Sequence, residues 1–200
     1  MLFRSVRLVP AIERELREVE TRRARKRAED TIRHMAYHDS LTGLINRAEF
    51  ERRLKRVLFS LKENVHHHAL FYIDLDQFKI INDTCGHIAG DELLKQLSVQ
   101  LKSQVRDGDT LARLGGDEFG VLLENCPLDR AQTIAEKILS AVKLFSFSWQ
   151  NRNFAIGVSI GMVLVNSKSD SVDVIMSSAD MACYAAKDQG RNRIRLYSDA

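Results

Sequence analysis

Thr110-Leu111-Ala112-Arg113-Leu114-Gly115-Gly116-Asp117-Glu118-Phe119-Gly120-Val121-Leu122-Leu123 reads as two short apolar runs parted by a tight acidic turn. Thr110 to Leu114 and Phe119 to Leu123 suit strands, and the four residues between them suit a hairpin loop. Upstream, Ala69 to Leu75 is a further strand, rich in aromatic and branched residues and ending in acid. Helical spacing runs through Asn46 to Lys62, Gly86 to Val105, Leu128 to Leu144 and Val172 to Lys187. Strand patterns recur at Phe145 to Trp149, Phe154 to Val165 and Arg193 to Tyr197. Hairpins mixed with helical crossovers predict an α+β domain with a mostly antiparallel central sheet flanked by helices. No repeat or low-complexity segment interrupts it.

The start of the chain differs in character. From Ala11 to Met35 there is neither glycine nor proline, and Ile12, Leu16 and Val19 recur at helical spacing among alternating charges, which predicts an exposed helix. Residues 1–35 carry ten Lys/Arg against six Asp/Glu, so the excess of positive charge belongs to this helix and the body is close to neutral. A near-neutral body argues against a nucleic-acid-binding face across the domain, and Arg22 to Arg27 reads as the solvated side of a helix. A seam of three apolar positions falls short of a full coiled coil. Cys85, Cys126 and Cys183 are odd in number and scattered, so neither a disulfide framework nor a zinc site is indicated, and a reducing, cytoplasmic setting fits best. No apolar run reaches the roughly 18 residues of a membrane span. His66-His67-His68 reads as a solvated loop, and Trp149 with its aromatic neighbours as core.

Carboxylates at a strand end call for a reason, because a buried, isolated one is costly unless paired or bound to a cation. Asp74 closes the strand Phe71-Tyr72-Ile73-Asp74, and Asp117 and Glu118 follow the two glycines Gly115 and Gly116, which let the backbone approach a ligand. Acids from two strand ends can then converge as hard oxygen ligands, a set that favours Mg²⁺ and phosphoryl transfer. Taken alone, they fit a pair of ordinary acidic turns equally well. Lys79 just beyond can meet phosphate, Asn82 can donate and accept on one edge, and Asp91 can accept both N–H donors of guanine. Gly86-His87 places an imidazole near such a base.

Together, Asp74-Leu75-Asp76-x-Phe78-Lys79-x-x-Asn82-Asp83 and Gly86-His87-x-x-Gly90-Asp91 resemble the substrate half of the GGDEF diguanylate cyclases, as Gly115 to Phe119 resembles their signature turn. Asp39-x-Leu41-Thr42-Gly43-Leu44-x-Asn46-Arg47 is similar to the family's entry motif, and Ala179-Asp180-x-Ala182-x-Tyr184-x-Ala186-Lys187-x-x-Gly190-Arg191-Asn192 to its late motif. The likeness runs from about residue 37 to the end, with residues 1–36 as a charged linker helix. It implies a nucleotidyl-cyclase, palm-like fold and an enzyme that condenses two GTP into cyclic di-GMP and two pyrophosphates. It also implies Asp74, the Leu75 carbonyl, Asp117 and Glu118 around magnesium, with manganese as substitute, and Glu118 as a further ligand or the base for the 3′-hydroxyl. Phe78, Asn82, His87 and Asp91 would hold the guanine end, with Lys79, Lys187 and Arg191 on the triphosphate and Gly115 and Gly116 close beside it. Two domains would face each other, so a homodimer is part of the expected mechanism.

Arg106-Asp107-Gly108-Asp109 lies five residues ahead of Gly115, the spacing of the family's product-inhibition site, which implies that cyclic di-GMP binds Arg106 and Asp109. The resemblance further implies an upstream sensor domain, a following EAL phosphodiesterase domain as one arrangement, and a longer protein that a membrane could anchor. The competing expectation is a GTP-binding module that regulates an attached domain and makes no product.

Overall fold

The computed structural model describes residues 5–61, 67–167, 169 and 171–198. The chain divides into two units at the boundary between Tyr37 and His38. The first contains one helix, α1 (Ser5–Tyr37), on which Leu16, Val19, Ile32 and Met35 are exposed. Ile12, the first residue of the expected seam, has its side chain outside the described set. Among the described residues no helix is long and apolar enough to cross a membrane.

The second unit is built on a six-stranded sheet. Its strands are β1 (Ile45–Asn46), β2 (His68–Asp76), β3 (Thr110–Gly115), β4 (Glu118–Leu123), β7 (Gly157–Val165) and β8 (Ile194–Leu196), in the order β1-β3-β4-β2-β7-β8. The two edge pairings are parallel and the rest antiparallel. Between these strands lie α2 (Arg47–Ser60), α3 (Phe78–Cys85), α4 (His87–Lys102), α5 (Leu128–Leu144) and α6 (Val172–Asp188), while β5 (Ser146–Trp149) and β6 (Arg152–Ala155) make a separate hairpin.

Strand β2 explains the layering. It pairs on both edges and is covered on both faces, so its side chains alternate between two cores. Phe71, Ile73 and Leu75 join Leu93, Leu97, Ile138 and Val142 of α4 and α5. Leu70 and Tyr72 join Phe50 and Leu54 of α2 and Ile175 and Ala179 of α6. Each fully buried side chain of this size contributes about 1.5–3 kcal/mol. The same alternation puts Asp74 on the α2/α6 face.

Several sequence expectations change here. Phe154 to Val165 is two strands: pairing breaks at Ile156, so that β6 pairs with β5 and β7 enters the main sheet. Helix α3 had no counterpart in the sequence reading. Eight residues give too little periodicity, and its ends are set by backbone geometry, with Gln77 at φ 62° and Gly86 at φ 83°. His68 belongs to β2 and is buried, accepting a bond from the Asn125 N–H at 3.2 Å, so it is not part of a solvated loop. His67 is exposed, and His66 lies outside the described residues. Trp149 is partly buried and stacks on Phe147 at 6.1 Å between ring centroids, as a core residue should.

Helix α2 is fastened by its own charges. The Asn46 side chain caps it by accepting from the Glu49 N–H at 3.0 Å. Glu49, buried, accepts from Arg52 at 2.6 Å and Arg53 at 2.9 Å, and Arg53 also donates to Thr110 at the start of β3 at 3.1 Å. The Arg52 bond, aided by Arg53 and opposed by burial, holds the Glu49 carboxyl down to about 2. Because the folded state depresses this pKa, the stabilisation is present above 4.5 and is lost as pH falls toward 2. Glu49→Gln should cost about 1–2 kcal/mol at neutral pH, a figure reduced because Arg52 stands largely in solvent. Urea unfolding across a pH series should show the gap between variant and parent closing in that acid window.

Candidate active site

The β3–β4 turn and the end of β2 bring the acids together. Asp74 lies directly across from Glu118 in the β2–β4 pairing, and the Leu75 N–H donates to the Asp117 carbonyl at 3.2 Å. Gly116 makes the turn at φ 50°, where a side chain would be strained, and a register shift between Arg113 and Gly115 bends the strand into it. Arg113 then holds the turn from outside: its guanidinium donates to the Gly116 carbonyl at 2.9 and 2.8 Å and to both Asp39 oxygens at 3.2 Å. Burial pushes the Asp39 carboxyl up, but two bonds from Thr42 and the Arg113 charge outweigh it and leave Asp39 below its ordinary value. The sequence reading quoted both residues without giving them this work.

Asp74 is the electrostatic centre. It is 7% exposed, and Lys187 of α6 donates to its Oδ2 at 2.7 Å while Oδ1 is buried with no partner. Burial is the largest cause of its raised pKa; Lys187 opposes the rise, Asp117 and Glu118 add to it, and the result is about 6. On Lys187, burial lowers the pKa, but its bond to Asp74 wins and the ammonium sits above its ordinary value. An orphaned carboxylate oxygen with two more acids beside it has the chemistry of a hard-cation site. Among the described residues, no three His, Cys, Asp or Glu side chains are already drawn close enough to enclose an ion. The unpartnered oxygen of Asp74 is the donor that a cation would meet. The donor set therefore fits Mg²⁺ at Asp74, Leu75, Asp117 and Glu118.

Asp76, two residues on, is committed elsewhere. It accepts from the Ser159 hydroxyl at 2.8 Å and from the Asn192 N–H at 2.9 Å, so it ties the loop after α6 to the strand end. Arg191 stands on that loop at φ 60° and lines a cleft of about 750 Å³ with Asp76, Gln77 and Lys143. Tyr72 is another residue to which the sequence reading gave no role. Burial first, and then the neighbouring Glu118 carboxylate, hold the phenol well above its usual pKa.

Beside this centre, α3 and α4 pack at Gly90. A Cβ there would stand 2.0 Å from Asn82 Oδ1 and 3.1 Å from the Phe78 ring, so only glycine lets the Asn82 amide lie against α4 next to Asp91. His87 begins α4, and both it and Asp91 are exposed, as is Lys79 on α3. Arg106 and Asp109 belong to a different cleft of about 610 Å³, lined also by Arg130 and Lys137. There the Asp109 carboxylate is buried and already bonded to Arg106 at 3.0 Å, and Arg106 also donates to the Glu124 carbonyl.

The model of the family described as diguanylate cyclase, GGDEF domain, matches residues 36–193. The chain belongs to the GGDEF family. It is 45% identical over 166 residues to the probable diguanylate cyclase DgcE of Escherichia coli, covering 83% of this chain and 15% of that protein. It is 36% identical over 176 residues to the cyclic di-GMP phosphodiesterase PdeB of Shewanella oneidensis, covering 86% of this chain and 20% of that protein. The fold is similar to the coiled coil and GGDEF domain of DgcB from Caulobacter crescentus in complex with c-di-GMP, with a TM-score of 0.82 and 29% identity over 93% of this chain and 99% of that one. The chain thus spans a minor part of the length of both curated relatives.

If Arg113 holds the GGDEF turn, Arg113→Ala should speed amide hydrogen exchange at Gly115 to Glu118 and leave the centre of β2 unchanged. Equal exchange in both proteins would show that the turn stands without it.

Proposed function

We propose that this domain is a diguanylate cyclase whose active form pairs two copies. The observation that carries the reading is Asp74: a buried carboxylate with an orphaned oxygen, across from Glu118 and beside Asp117, within a GGDEF-family fold. Magnesium held by Asp74, the Leu75 carbonyl, Asp117 and Glu118 would supply charge neutralisation for phosphoryl transfer. The remaining work falls to the chain. Asn82 and Asp91 read the guanine edge, with Phe78 and His87 against the nucleotide. Lys187, Lys79 and Arg191 would neutralise the triphosphate. Glu118 takes the proton of a 3′-hydroxyl, the O3′–Pα bond to the facing nucleotide forms, the bond from Pα to the bridging oxygen breaks, and pyrophosphate leaves. The same exchange in the other direction closes the ring. One domain holds one GTP, so the reaction needs the second copy.

Cyclic di-GMP is also the proposed inhibitor, bound at Arg106 and Asp109. Since these two residues already bond each other, the product must compete for the pair, and this favours inhibition at accumulated rather than trace product. A second reading, a GTP-binding module that governs an attached domain without turnover, is favoured by the similarity to PdeB.

Incubation of the protein with GTP and Mg²⁺ should yield cyclic di-GMP, and Glu118→Gln should lower kcat by about a hundredfold or more. GTP bound with no product at high protein concentration would instead support the regulatory module. Gly90→Ala should raise the KM for GTP by displacing Asn82, and Arg106→Ala should relieve inhibition by added cyclic di-GMP. An inhibition curve that Arg106→Ala leaves unchanged would remove the product site from the proposal.

A further inference from the structure

The cleft of about 750 Å³ beside Asp76 is walled by α3, the end of α5, the strand β6 and the loop after α6. None of the residues proposed to hold magnesium lines it, and of those proposed for the nucleotide it shares only Arg191. Its volume is ordinary for a small-molecule site, and no step of the proposed reaction uses its other residues.

What the cleft offers is donors. Lys143, exposed in the last turn of α5, and Arg191 bring two positive charges, and among the described residues neither side chain has a carboxylate partner. Asn153 lines the cleft with an amide whose carbonyl oxygen already accepts from the Ser148 hydroxyl at 2.6 Å, across the β5–β6 pairing. Its NH2 group is the part left to meet a ligand. Asp76 is the one carboxylate in the wall among the described residues, and both its oxygens are taken, by the Ser159 hydroxyl at 2.8 Å and the Asn192 N–H at 2.9 Å. Two cations and an oriented amide against one satisfied acid favour an anion with several oxygens.

The backbone that carries Arg191 is fixed in place. Gly190, Arg191 and Asn192 have φ of 111°, 60° and 48°, left-handed geometry that non-glycine residues seldom take. The Asn192 N–H bonds Asp76, and the Arg191 N–H donates to the Ala186 carbonyl at 3.1 Å, so the turn is tied both to the strand end and to α6. Conformations of this kind persist where surrounding contacts fix them, and they cluster at ligand sites.

We propose that Lys143, Asn153 and Arg191 form a diphosphate site in this cleft, which receives the pyrophosphate leaving the proposed cyclase reaction. The proposal takes the source of its ligand from that reading, while the donor set stands apart from it. Arg191 is common to the triphosphate and the cleft, and Lys143 and Asn153 supply the departing group with a second set of donors. Because Arg191 is shared, pyrophosphate held there competes with the next GTP.

The test is calorimetric titration of inorganic pyrophosphate into the protein without divalent cation, parent against Lys143→Ala. Affinity should fall about tenfold, the low end for a charge-assisted bond because Lys143 is exposed. Lys143→Arg, which keeps the charge, should recover most of it. Lys143 also complements the negative end of α5, so Lys102→Ala, which removes the corresponding lysine from the last turn of α4, controls for net charge and helix-end effects and should bind as the parent does. A Lys143→Ala protein that binds pyrophosphate as tightly as the parent overturns the proposal, as does an equal loss in both alanine variants or a parent that binds none. The β,γ end of bound GTP carries the same diphosphate group, and titration with a non-hydrolysable GTP analogue separates the two sources. A loss confined to pyrophosphate is expected, and an equal loss for the analogue overturns the assignment to the departing product. A parent that binds pyrophosphate through Lys143 but forms no cyclic di-GMP from GTP and Mg²⁺ sinks the cyclase reading and leaves the diphosphate site standing.

Discussion

A carboxylate placed inside the protein, at the end of its most buried strand, is the constraint to which the rest of the site answers. Asp74 is covered on the face where α2 and α6 pack, and moving an unpaired carboxylate there would cost several kcal/mol. Lys187 offsets that cost at one oxygen and leaves the other without a bond. With Asp117 and Glu118 close by, the negative charge around that oxygen is left in excess. In the proposed cyclase, that oxygen is where a cation would complete the site.

Around that centre the fold uses rigid backbone contacts in place of long side-chain networks. The Leu75 N–H bonds the Asp117 carbonyl, Arg113 grips the Gly116 carbonyl, and Asp76 holds the loop of Arg191 through the Asn192 N–H. Each of these ties a loop to a strand end, and loops positioned by a rigid scaffold are where ligand chemistry usually resides. The entry segment takes part through Asp39, so the residues that follow α1 in sequence are bonded to the signature turn by a single arginine. Asp39 and Arg113 are 74 residues apart, and no local pattern links them.

Much of the body was legible because its signals were long. Leu128–Leu144 and the two strands around the acidic turn follow from periodicity that tertiary packing reinforces. The short elements were not legible. β1 is two residues and exists only because β3 offers it a parallel partner, and α3 is delimited by a left-handed Gln77 and a glycine hinge. The candidate site divides the same way. Asp74, Asp117, Glu118, Asn82 and Asp91 stand out as residue types that need a reason to be where they are. Asp76 stands two residues beyond Asp74, yet its partners, Ser159 and Asn192, lie far along the chain, and only the folded register gives it a structural duty.

Tyr72 was hidden for a related reason. In a strand of aromatic and branched residues a tyrosine is indistinguishable from core, because period two says which face it takes and nothing about its hydroxyl. Its meaning depends on Gly120 and Gly161, two glycines on different strands that become its neighbours only when β4 and β7 close on β2. Glycine at both positions lets two helices descend on the sheet, and the Tyr72 ring fills the space left between them. The face on which Asp74 stands is thus shaped by how closely α2 and α6 pack, so a change that loosens either helix reaches the Asp74–Lys187 pair without altering either residue.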